Sequence, residues 1–107
     1  MTDQMDFRNI EAALSEVRRL TTSKAEADAL IAASLMNLAE AKEKLASIRA
    51  EAKTPENAEY VKAAKKAWQA SIKAHELSIV AFKGDIAAYD AEIATILNRV
   101  PEARLDN

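Results

Sequence analysis

Rows of mostly apolar side chains recur every seven residues through the second half of the chain. Val61, Trp68, His75, Phe82, Tyr89 and Ile96 form one row, and Lys65, Ile72, Ile79, Ile86, Ile93 and Val100 form the other. The alternating spacing of four and three residues is the pattern by which helices pack along a coiled-coil or bundle seam. It predicts one long helix over about 55–99, with Thr54 as N-cap, Pro55 at the first helical position and Pro101 as the stop.

The first half carries the same period. Ile10, Val17, Lys24, Ile31, Leu38 and Leu45 form one row; Ala13, Leu20, Ala27, Ser34, Ala41 and Ile48 form its neighbour, where small residues dominate. Small side chains facing the Ile and aromatic rows of the later helix let two backbones approach closely. The stretch Lys53-Thr54-Pro55-Glu56-Asn57 is short, and short helix–helix connections make antiparallel neighbours. In the resulting register, level residues have numbers adding to about 110. Ile10 then meets Val100, Leu14 meets Ile96, Val17 meets Ile93, Ile31 meets Ile79 and Leu38 meets Ile72.

The predicted fold is therefore all-α: a long, coiled-coil-like antiparallel helical hairpin forming a single domain over 1–107. Its expected elements are a helix over about 4–20, a break at 21–23, a helix over about 24–53, a turn at 54–57, the helix to 99 and a short tail at 101–107. The break is expected because Ser23 and Glu26 form a capping box that starts a new helix. Gly84 lies at nearly the same height on the other arm, where glycine costs about 1 kcal/mol against alanine and marks the place for a kink. At this hinge the arms either run on or the N-terminal segment, with Met5, Ile10, Leu14 and Val17, folds back.

Composition sharpens the picture. Half of the 107 residues are apolar, but 24 are alanine, so the core is thin. A compact chain of this size buries only about two-thirds of its unfolded surface, and a two-helix hairpin buries less. Apolar residues off the seam, Leu30, Ala33 and Met36 on one arm and Leu77, Val80 and Ala81 on the other, fall at one height. A helix that is apolar nearly all round is buried on more than one side. Dimerisation into a helical bundle is the expected covering, ahead of the fold-back and of a docked protein partner.

Charge excludes more than it suggests. The net charge of −2 does not advertise nucleic acid or membrane. Lys62, Lys66 and Lys73 make the one basic stripe, and a nucleic-acid or nucleotide-binding dimer that uses it is the alternative reading. No apolar run is long enough to span a membrane. The acidic N-terminus does not read as a secretory signal. With no cysteine, the expected location is the cytoplasm.

Candidate chemistry is sparse. His75 is the single histidine and sits on the seam between Trp68 and Phe82, where a packed side chain is expected rather than a general base. Ile72, three residues before it, removes the Glu-x-x-His motif of di-metal bundles. Glu40 and Glu43 have Lys42 and Lys44 beside them and read as surface pairing. Nucleophile elbows and phosphate-binding glycine loops are absent from a chain with one glycine. No catalytic, metal or cofactor site is expected. The reading is a non-enzymatic helical interaction module, a small assembly factor, chaperone or inhibitor of a partner protein. Its partner-facing candidates are Leu30, Met36, Leu77 and Val80, with Glu56 and Tyr60 at the hairpin tip.

Overall fold

A computed structural model describes residues 2–51 and 53–105, with side chains from residue 9 onward. Two helices account for most of it: α1, Thr2–Ala50, and α2, Ala58–Arg99. They pack antiparallel as an all-α hairpin, and no strand occurs among the described residues. Every heptad position named above, on both arms, is buried or half-buried.

The burial is unequal, for a reason already present in the sequence. On α1 the small row is closed off: Ala13, Leu20, Ala27, Ser34 and Ala41 are all buried. On α2 only Val61 and Ile79 are, while Trp68, His75, Phe82 and Tyr89 are half-buried. A large side chain laid over a small one covers it completely and leaves its own outer edge in water.

The turn forms as the residue types dictate. The Thr54 N–H donates to the Asn57 side-chain oxygen at 2.8 Å, and the Asn57 N–H donates to the Thr54 hydroxyl at 3.2 Å. This is the reciprocal pairing of a capping box, with Asn57 in place of the usual Glu or Gln. The Asn57 N–H also reaches the Thr54 carbonyl at 3.2 Å, so residues 55–57 form a tight turn. Helical bonding proper then begins with the Val61 N–H on the Asn57 carbonyl. Thr54 therefore closes the turn rather than capping α2, which is counted from Ala58 rather than from 55 and so has Asn57 at its N-cap position, and α1 stops at Ala50 rather than 53.

The expected break at 21–23 does not form. The Thr21 hydroxyl donates to the Val17 carbonyl one turn back at 2.7 Å, which satisfies it inside the helix. Leu20 and Ala27, on either side, are buried at 1% and 5% exposure. Continuing that stripe outweighs a capping box, whose contribution is about 1 kcal/mol. Gly84 is helical as well.

The hairpin divides into two compact units, Met1–Ala29 with Lys83–Asn107, and Leu30–Phe82. In the first, Ala13, Val17 and Ala103 form a buried cluster against which Leu14, Ile93, Ile96, Leu97 and Val100 pack. These contacts follow the predicted register and take up Leu14 and Val17, so the fold-back is not adopted. Met5 lies outside the described side chains. Lys24, on the seam, meets Asp90 at 2.8 Å.

The C-terminal tail is part of this core. Pro101 restricts the residue before it, and Val100 leaves the helix with φ −133° and ψ 78°. Pro101–Ala103 form a 3-10 turn, closed by the Ala103 N–H on the Val100 carbonyl at 3.0 Å. This carries Ala103 to full burial, 0% exposed. The second unit buries Leu38, Ala41 and Leu45 of α1 with Val61 and Ile79 of α2.

Candidate functional site

The second unit holds both surfaces with something to offer a ligand. The first is apolar. Leu30, Leu35, Met36, Tyr60, Leu77 and Val80 are large hydrophobic side chains about half or more exposed, all between residues 30 and 80. In the other unit the most exposed large hydrophobic among the described residues is Leu105, at 39%. The four belt residues expected from the sequence are thus exposed, and Ala33 and Ala81 with them. Leu35 was missed because it flanks the stripe and reads as seam packing.

At about 100° per residue, Leu30 and Leu35 lie on opposite flanks of the α1 seam, and Met36 projects from the far side of the helix. On α2, Leu77 also points away from its seam. The apolar surface therefore runs around the helices rather than forming one flat patch. Covering it takes more than one neighbouring helix.

The second surface is cationic. Lys53, Lys62, Lys65, Lys66, Val61 and Gln69 line an open cleft of about 600 Å³ together with Ala58, the first residue of α2. Four of its seven lining residues are lysines, and no carboxylate lines it. Among the described residues the ion pairs are Arg19–Glu16 and Lys24–Asp90, so these lysines have no acidic partner. The Lys53 charge first, then desolvation, then the side-chain contact with Lys53 and last the Arg49 charge hold Lys65 below the ordinary lysine value.

Of the three basic candidates read from the sequence, Lys62 and Lys66 belong to this cleft, and Lys73 does not line it. Lys65 belongs to the same basic stretch of the sequence but is read there as a seam position, and Lys53 is not among the basic candidates. Lys53 sat in the turn, and Lys65 occupied a seam position whose heptad slot hid its charge. At the tip, Glu56 and Tyr60 are exposed. Glu56 and Glu59 sit where acidic side chains complement the positive end of a helix.

Two smaller clefts lie in the first unit. One is lined by Glu16, Ala91, Glu92, Thr95 and Ile96, the other by Asn9, Ile10, Arg99, Val100, Pro101 and Glu102. Neither gathers groups of one kind. Among the described residues no cluster of His, Asp or Glu could hold a metal ion. Every buried side-chain polar atom there has a hydrogen-bond partner. No described helix is long and apolar enough to cross a membrane. No protein family, characterised protein or solved structure matches the chain.

Proposed function

We propose that this chain is a non-enzymatic helical interaction module that works as a homodimer and presents its second unit to a protein partner, as an assembly factor, chaperone or inhibitor does. One observation carries the reading: among the described residues, six of the seven large exposed hydrophobic side chains lie in residues 30–80, with Leu105 the one in the other unit. Large exposed apolar patches mark association surfaces in proteins that cross no membrane. A second copy is the favoured first occupant. Twofold pairing lets the same residues of each copy serve as both halves of the interface. Two hairpins together also supply the several neighbouring helices that an all-round apolar surface needs.

Light scattering coupled to size exclusion tests this. The expected mass is twice the 11.7 kDa of one chain. Leu77→Glu combined with Val80→Glu should return it to one chain with helicity intact, because both side chains are exposed. A wild-type monomer at high concentration would remove the dimer. An unchanged dimer and unchanged partner capture in the double variant would remove the belt as the surface used.

A further inference from the structure

We propose that the lysine cleft of the second unit is a binding site for a condensed phosphate chain, either inorganic oligophosphate or the triphosphate of a nucleotide. The proposal rests on the cleft itself. Lys53 arrives from the turn, and Lys62, Lys65 and Lys66 arrive from little more than one turn of α2. Four lysine side chains thus line one space of about 600 Å³ with no carboxylate in its wall.

Unpaired like charges repel and weaken the fold unless something neutralises them. A cleft lined by one sign of charge focuses the field and concentrates counter-ions. The lowered proton affinity of Lys65 reports that repulsion, since its largest cause is Lys53. Ala58, the first residue of the 42-residue α2, is also in the wall, which sets the positive end of that helix's macrodipole beside the cleft.

Lysine fits this ligand chemistry. It meets phosphate as a compact point charge on a flexible stem, without the fixed bidentate geometry of arginine. Several such charges in one place suit a ligand with several closely spaced negative charges. An extended polyanion such as nucleic acid needs a basic track along the surface. Here Lys73, the next basic residue along α2, is outside the cleft, and the chain as a whole is acidic. The site does not depend on self-association, because every lining residue belongs to one chain.

The test is calorimetric titration of the full chain with tripolyphosphate, with ATP and with a single-stranded oligonucleotide. Saturable binding of tripolyphosphate at one site is expected, weakening as salt is raised. Lys53→Gln with Lys65→Gln should bind at least about tenfold more weakly, because two charge-assisted contacts are lost. Lys73→Gln with Lys83→Gln removes the same charge elsewhere and should bind within about twofold of wild type.

If Lys65→Gln disturbs the seam, Lys62→Gln with Lys66→Gln makes the same test on exposed positions. ATP binding like tripolyphosphate assigns recognition to the phosphates, and ATP binding more tightly assigns it to a nucleotide. Both outcomes support the site. No saturable tripolyphosphate binding, or equal weakening in the cleft and control variants, would overturn it. So would an oligonucleotide that binds more tightly than tripolyphosphate and depends equally on both lysine pairs.

Discussion

Lys24 of α1 and Asp90 of α2 meet at 2.8 Å, pairing a charged residue on the seam of one helix with a side chain beside the seam of the other. The hydrogen bond and charge of Asp90 hold Lys24 above the ordinary lysine value of 10.5. A raised lysine pKa in the fold means that the pair's contribution is complete below 10.5 and disappears as pH rises through the raised value. Asp90→Asn should therefore melt below wild type near neutral pH. The gap should close on the strongly alkaline side. Melting curves across pH check it, and a constant gap would assign the loss to packing.

Lys65 has the opposite sign. Its charged form is disfavoured in the fold, chiefly by Lys53, so its value lies below 10.5. The penalty is present in full below that lowered value and is relieved as pH rises through it towards 10.5. Lys65→Leu, which also gives the seam an apolar residue, should raise the melting temperature at neutral pH. The advantage should shrink in alkaline solution.

Ala103 is the most buried residue of the first unit's core, with Ala13 and Val17 in the same cluster. Enlarging it forces that cluster apart. Ala103→Leu should cost about 1–3 kcal/mol in urea unfolding, the usual penalty for overfilling a packed site. Ala12→Leu, on an exposed position of α1, should be nearly neutral. Equal effects would mean that the tail does not hold the core in solution.

Gly84 offers a gain. It is helical and exposed, and a Cβ built on it meets nothing within 4 Å. Gly84→Ala should stabilise the chain by about 1 kcal/mol through helix propensity alone. A loss of stability by thermal melting would mean that this position needs the freedom of glycine.

Thr54 closes the turn through both its N–H and its hydroxyl. Thr54→Ala should cost about 1 kcal/mol, the usual net worth of a side-chain hydrogen bond, and Thr54→Ser should restore most of it. Chemical denaturation of the three proteins distinguishes loss of the hydroxyl from loss of the methyl group.

Much of this molecule is legible without coordinates because a coiled seam is a one-dimensional code. Seven-residue spacing names the inward positions, and every one from Ile10 to Val100 is buried or half-buried. The Thr54-Pro55 turn and the Pro101 stop are equally local, since a turn-closing side chain and a missing N–H act within a few residues. Legibility fails where a local signal competes with a distant one. Ser23-x-x-Glu26 is a sound helix start, but Leu20 and Ala27 bury against the other arm, and α1 runs through. Exposure follows the same division. Leu30, Met36, Leu77 and Val80 are readable as residues off the stripe and are exposed, whereas the meeting of Lys53 and Lys65 at one cleft is not readable from spacing.

The sequence by itself determined two long antiparallel helices, their seam and their turn, because period, caps and breakers are properties of neighbouring residues. The tertiary structure alone decided three things: that the tail folds back to bury Ala103, that Lys24 finds Asp90, and that four lysines line one cleft. Each joins residues distant in the chain or puts a seam residue to a second use. Their free energies depend on distance through space, which no spacing along a single strand of residues encodes.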